Sequence, residues 1–137
     1  ELPEQHNRTE RNILYKTGSP LLEKMELQLN EYFRGKRREF DLPIYLEGTD
    51  FQNKVWKSLM DIHYGETITY SAQAQKIDSL SAIRAVANAN GKNPIPIIVP
   101  CHRVIGTNGK LTGYSGGLWR KKFLIELEKE ISAQKLF

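Results

Sequence analysis

The sequence predicts an α+β protein: a mainly helical C-terminal domain with a helix-turn-helix and an active-site loop, preceded by a small, shortened α/β N-terminal lobe. Three observations predict it. Apolar residues recur at helical spacing in stretches that begin near Leu21, Phe51 and Leu118. Two short helical segments are separated only by the brief turn "DSLS", Asp78 to Ser81. A proline-broken run, "KNPIPIIVPC", then leads to the single cysteine of the chain, Cys101. The 137 residues suit one compact domain or a small pair of lobes. The pattern changes near Thr49, which divides residues 1–48, the lobe, from residues 49–137, the main domain.

Each element has a local reason. "TGSP", Thr17 to Pro20, is a break. In the helix that follows, Pro20 suits the first turn, Leu21, Leu22, Met25, Leu29, Tyr32 and Phe33 share a face, and Gly35 is a stop. "FDLPIYL" is short and apolar and reads as a strand, kept to an edge by Pro43. Thr49 or Asp50 caps a helix with Phe51, Val55, Leu59 and Ile62 on one face, closed by Gly65. Thr67 or Thr69 caps a short helix to about Ile77, and "AIRAVANANG" forms the next, ending at Gly91. After the proline run, Asn108-Gly109 is a hairpin signal. Last, "LWRKKFLIELEKEI" reads as an amphipathic helix capped by Ser115.

Composition narrows the function classes. Twenty basic against 16 acidic residues give a net charge of +4, which permits nucleic-acid binding without demanding it. No apolar run approaches the ~20 residues that a membrane span needs, and no signal-peptide pattern opens the chain. One cysteine makes no internal disulfide, so a reducing, intracellular compartment is expected. No Cys/His cluster suggests a metal, and none is expected.

Cys101 lies in "PCHRV", before His102 and Arg103. A thiol attacks as thiolate, and a neighbouring base or positive charge favours that form. Adjacent residues in an extended chain point apart, so His102 reaches the thiol only if the backbone turns or a water bridges them. A carboxylate should orient the imidazole, and Glu126, Glu128 and Glu130 are open choices by spacing. Against this stands the bland alternative that a lone cysteine is a small buried hydrophobe. His6 and His63 read as structural.

"NPIPIIVP", "PCHRV", "GYSGG", "RAVANANGKNP" and "TDFQNKVW" fall in one order across residues 49–128 and closely resemble the O6-alkylguanine-DNA alkyltransferases, the methylated-DNA–protein-cysteine methyltransferases. The resemblance implies a single-turnover DNA repair protein without a cofactor. It would move a methyl or larger alkyl group from O6 of guanine, and from O4 of thymine, irreversibly to Cys101. His102 matches the base that acts through a water, and Glu128 the carboxylate that orients it. Tyr70 matches the hydroxyl that bonds guanine N3. Tyr114 matches a pocket wall, the Ser115 N–H a donor to O6, and the carbonyls of Cys101 and Val104 acceptors for the exocyclic amine. Asn93 matches the residue tying the recognition helix to the active-site segment.

Arg84 matches the arginine that fills the gap left by a flipped base. Thr69, Ala82 and Ala85 match the surface that meets double-stranded DNA in the minor groove. Ordinary helix propensity accounts for the alanines equally well. A monomeric, cytoplasmic protein is implied, nucleoid-associated if bacterial. Two departures stand out: "IDSLSA" replaces an "IGxPxA" pattern, and the N-terminal lobe is short. Any one of Lys92, Lys110, Arg120 and Lys121 reads more readily as a solvated face than as a phosphate contact, and Arg103 as a binder of carbonyls. Two other functions compete with repair. A helix-turn-helix module would bind DNA or a lesion without chemistry, and a cysteine hydrolase would turn over.

Overall fold

The computed structural model describes residues 19–111, 114 and 116–134. The helices among these residues are α1 (Pro20–Phe33), α2 (Asp50–Met60), α3 (Tyr70–Lys76), α4 (Ile83–Gly91) and α5 (Leu118–Gln134). Two short strands, β1 (Ile68–Thr69) and β2 (Val104–Ile105), pair in parallel with Ile68 opposite Val104 and Thr69 opposite Ile105. The α+β class holds in this mostly helical form. No described helix is long and apolar enough to cross a membrane. The chain divides into two compact units, Glu1–Ile44 and Tyr45–Phe137.

In the first unit, Ser19 caps α1 by accepting the Leu21 N–H, and Pro20 occupies the position whose own N–H would have had no partner. Gly35 takes a φ of 72° and ends the helix. The expected strand at residues 40–46 does not form: no ladder runs through it among the described residues. Pro43 supplies no N–H, and the Gln28 side chain stands in for a neighbouring strand. It accepts from the Asp41 N–H at 2.9 Å and donates to the Asp41 carbonyl at 3.0 Å.

In the second unit, a capping box opens α2: Thr49 Oγ1 accepts the Gln52 N–H, and the Gln52 side chain accepts the Thr49 N–H. The helix ends at Met60, before Gly65, and Ile62 still reaches the core from the turn beyond. Val55, Trp56 and Leu59 bury its inner face, while Phe51 stays half-buried.

The α3–α4 turn explains the departure at Asp78. Its N–H donates to the Gln75 carbonyl, and the Ser79 N–H donates back to the Ala74 carbonyl, a Schellman closure of α3. That closure needs a left-handed residue. Asp78 supplies it with a φ of 54°, as one of the few residue types that tolerate the conformation without being glycine.

Three buried polar side chains lock α2, α3 and α4 together. Gln73 donates to Ser58 at 3.0 Å and to Asn90 at 2.9 Å, and Asn90 donates back to Gln73 at 2.7 Å. The Trp56 indole donates to the Ala89 carbonyl at 2.8 Å, near the end of α4. Each partner is satisfied, so the network specifies one arrangement of the three helices.

One turn expectation and one helix expectation are corrected. Asn108 and Gly109 are both left-handed, with φ of 66° and 77°, as an Asn-Gly turn requires. They form a tight 3-10 turn closed by the Gly106 N–H on the Lys110 carbonyl at 2.7 Å. No antiparallel hairpin follows among the described residues, because β2 takes β1 as a parallel partner. Nor is α5 amphipathic in the simple sense. Its buried face includes Lys121 and Glu128, while Leu118, Trp119 and Phe123 lie outside. The inner face lines a polar centre, and that outranks hydropathy. The proposed Ser115 cap lies outside the described residues.

Candidate functional site

Pro100 ends the proline-broken run, and the next three residues, Cys101 to Arg103, wind into a 3-10 turn. The Cys101 N–H donates to the Val99 carbonyl and the Arg103 N–H to the Pro100 carbonyl. The backbone therefore does turn at the cysteine, so the rule that neighbouring side chains of an extended chain point apart does not apply here. Val104 leaves the turn directly into β2, whose pairing with β1 docks the segment beside Tyr70, the first residue of α3. Asn93 braces the run from the other side, donating to the Val99 carbonyl at 2.7 Å and accepting the Ile95 N–H at 3.0 Å.

His102 is wholly buried, and its Nε2 lies 2.6 Å from Glu128 Oε2. A carboxylate only accepts, so Nε2 carries the hydrogen and Nδ1 carries the lone pair. Nδ1 is buried with no hydrogen-bond partner among the described residues. Glu128 also accepts from Arg103 Nε at 2.9 Å, Arg103 Nη2 at 3.1 Å and the Gly65 N–H at 3.1 Å. The remaining fork of Arg103 donates to the Ile62 carbonyl at 2.6 Å, in line with the expected carbonyl-binding role. Of the three glutamates open by spacing, Glu128 is the one on the imidazole; Glu126 and Glu130 are exposed.

The electrostatics follow from burial. Desolvation pushes the Cys101 thiol up, only partly offset by the Asn93 side chain and the Lys121 charge. Desolvation likewise pushes His102 down, against the pull of Glu128. Burial alone would raise Glu128, but its bonds to His102 and Arg103 outweigh that and hold it at about 2. The resting centre is a neutral thiol, a neutral imidazole and an ionised carboxylate. The low dielectric outweighs the basic neighbours, so the thiolate that attack requires has to be formed by a base.

Sequence reasoning missed the role of Lys121. Expected on a solvated face, it is 1% exposed. Its ammonium donates to the Tyr70 hydroxyl at 3.4 Å and lies 5.5 Å from the centre of that ring. Desolvation pulls its pKa down to about 8, and the Cys101 charge raises it. A signal was present, since Lys121, Leu124, Ile125 and Glu128 recur at i, i+3, i+4 and i+7, the buried stripe of α5.

Tyr114 is half-buried, and desolvation followed by the Cys101 charge pushes its hydroxyl up to about 12. A Cβ on Gly116 would stand 2.8 Å from the Tyr114 ring, so the ring's position requires glycine there. Gly65, with φ of 84°, is fixed similarly, because a Cβ would stand 2.3 Å from Ser132 Oγ. Gly65→Ala is therefore expected to cost about 1–3 kcal/mol, read as a lower denaturant midpoint.

The remaining candidates fall in two groups. Val104 is fully buried in β2, and the Cys101 carbonyl already accepts the Val104 N–H. Ser115 lies outside the described residues. Thr69 is the cap of α3, its hydroxyl accepting the Ala72 N–H at 3.1 Å. Arg84 and Ala85 are exposed on α4, and Ala82 is half-buried at its start. Among the described residues no cluster of His, Cys, Asp and Glu could hold a metal.

Residues 50–130 match the family model of the 6-O-methylguanine DNA methyltransferase DNA-binding domain. A methylated-DNA–protein-cysteine methyltransferase of Mycobacterium tuberculosis is 61% identical over 102 residues, 74% of this chain and 62% of that protein. One of the same name from Methanosarcina barkeri is 58% identical over 102 residues, 74% of this chain and 65% of that protein. The chain thus spans less than two thirds of these relatives' length. The crystal structure of Mycobacterium tuberculosis OGT in complex with DNA superposes with a TM-score of 0.78 and 57% identity, covering 80% of this chain and 68% of that one. S. pombe Atl1 in complex with damaged DNA containing O6-carboxymethylguanine gives a TM-score of 0.52 and 32% identity, covering 61% and 79%.

Proposed function

The chain belongs to the 6-O-methylguanine DNA methyltransferase family, and we propose on that premise that it repairs DNA by taking the alkyl group of O6-alkylguanine onto Cys101, once and irreversibly. The observation that carries the proposal is the buried relay: the single cysteine shares one 3-10 turn with His102, whose Nε2 lies 2.6 Å from Glu128.

The chemistry starts from the neutral pair. Nδ1 of His102 takes the Sγ proton through a bridging water, and Glu128 stabilises the imidazolium that forms. Asn93 and the Lys121 charge stabilise the thiolate. Sulfur then attacks the alkyl carbon in line. The new S–C bond forms as the C–O6 bond breaks, and the electron pair passes to the purine. The Tyr70 hydroxyl, with the Lys121 ammonium behind it, donates toward N3, and the Ser115 N–H toward O6. Guanine leaves neutral with a proton from the Tyr70 hydroxyl. The proton held on the imidazolium, released through solvent, replaces it, so the thiol's proton is accounted for and His102 returns to neutral. The thioether has no leaving group that water displaces readily, so the protein is spent.

A paired base cannot reach a thiol that is only 7% exposed, so the nucleotide must leave the duplex, at a cost of a few kcal/mol. Arg84, exposed one residue into α4, fills the gap from the minor-groove side. Ala85 and Ala82 let the helix approach closely, and Thr69 and Tyr70 meet the backbone at the start of α3. The protein acts as a monomer and needs no cofactor. The division into an N-terminal lobe of residues 1–48 and a catalytic domain of residues 49–137 belongs to the same reading.

The test is the intact mass after incubation with an O6-methylguanine duplex. One added methyl, mapped to Cys101, is the expected result. An unchanged mass with a reduced thiol removes the proposal, and released product with unchanged protein mass points to a hydrolase.

Lys121→Met should separate stability from chemistry. A base held at about 8 in the fold, against 10.5 when unfolded, burdens the folded state as pH falls below 10.5, and in full below pH 8. The variant is therefore expected to gain on the order of 1–3 kcal/mol at pH 7. Its transfer should slow by about tenfold or more, because the thiolate and Tyr70 both lose a positive neighbour. Thermal melts and single-turnover rates, measured side by side, check the opposite signs.

A further inference from the structure

We propose that Asn88 reads the base pair beside the extruded nucleotide, and that Lys92 holds a phosphate beyond it, an inference that rests on α4 being the helix that faces the groove. The helix has two distinct sides. Val86, Ala89 and Asn90 are buried, whereas Arg84, Ala85, Asn88 and Lys92 are exposed. Arg84, Asn88 and Lys92 follow one another at steps of four residues, so they form a single ridge. The ridge runs about 12 Å along the axis, the length of three to four base pairs at roughly 3.4 Å each. If Arg84 marks the vacated position, Asn88 stands one helical turn along the groove from it.

The three asparagines of this region divide the work. Asn90 is spent on Gln73, at 2.7 and 2.9 Å. Asn93 is spent on the Val99 carbonyl and the Ile95 N–H. Asn88 is turned outward between two cations. A carboxamide carries an acceptor as well as a donor, which neither Arg84 nor Lys92 does. In the minor groove an A·T pair shows only acceptors, and a G·C pair adds the guanine N2 amine. Only the acceptor of Asn88 can use that amine. Lys92, the C-cap of α4, carries a point charge suited to phosphate and blind to sequence.

The experiment measures single-turnover methyl transfer by the whole chain. Its substrates are O6-methylguanine duplexes in which each neighbouring pair in turn is G·C, or I·C, which lacks the N2 amine. The unaltered protein is expected to react about fivefold faster with G·C than with I·C at one neighbouring position. Asn88→Ala should react equally with both, at the I·C rate of the unaltered protein. Lys92→Ala should keep the ratio, lower both rates and reduce the salt slope of binding by about one. Both residues are exposed, so melting temperatures close to that of the unaltered protein exclude a folding defect. Equal rates on G·C and I·C at every position, or a ratio that survives Asn88→Ala, overturn the assignment while leaving the repair reading in place. Absence of transfer from every duplex overturns both.

Discussion

A chain carrying Glu128→Gln is expected to lose about 3–5 kcal/mol of stability and to transfer alkyl groups some 10²- to 10⁴-fold more slowly. The carboxylate accepts from His102 Nε2, from two nitrogens of Arg103 and from the Gly65 N–H. An amide has one acceptor atom and brings two donors of its own, so it faces nitrogen hydrogens with nitrogen hydrogens. It also leaves the Arg103 guanidinium, itself 7% exposed, without a counter-charge. The proton accounting makes the loss readable. Glu128 is held at about 2 against an ordinary 4.5, so its contribution is complete above pH 4.5 and vanishes as pH falls toward 2. His102 is held below its usual 6.5, so the unfolded chain takes up that proton first, and stability declines as pH drops below 6.5. Urea melts between pH 7 and pH 3 should therefore slope downward in the unaltered protein. In the variant the portion below pH 4.5 flattens.

Cys101→Ala is expected to abolish transfer altogether while keeping affinity for duplex. Sγ is the only atom of the chain that accepts the alkyl group in the proposed chemistry, and no other cysteine can replace it. The surface that would meet DNA lies on α4, outside the 3-10 turn, so removing one buried sulfur leaves it in place. Intact mass and gel-shift titration on the same protein check the two halves. In the unaltered chain, transfer should persist into mildly acid solution. The imidazole stays neutral below its usual 6.5, and the rate falls only once His102 takes up a proton.

Much of this was legible in the sequence wherever one short-range signal dominates. Thr49 or Asp50, and Thr67 or Thr69, mark the two helix starts, and in each pair it is one of the named hydroxyls, Thr49 and Thr69, that makes the cap. Asn108-Gly109, read as a hairpin signal, delivers the left-handed backbone of such a turn but not the hairpin. Most of the failures share one cause: a partner distant in the chain decided the outcome. Residues 40–46 have strand composition, but the group that bonds them is a helix side chain, Gln28. Lys121 looks like a solvated lysine because its neighbours along the chain are charged, yet Tyr70, 51 residues earlier, receives it. The choice of Glu128 over Glu126 and Glu130 depended on helix phase relative to a turn 26 residues away, which spacing alone does not fix. The thiol's resting form depended on burial, and no local pattern states how dry a residue will be.

The lock formed by Ser58, Gln73 and Asn90, with the Trp56 indole closing on the Ala89 carbonyl, has a mechanical consequence. It makes α4 a stiff die rather than a spring. Tilting that helix alone would tear several desolvated hydrogen bonds at once, so a partner pressed against Arg84 and Asn88 must supply the give from its own compliance. If that partner is duplex DNA, as proposed, softer base steps should yield to this die first, whatever their sequence offers in direct contacts.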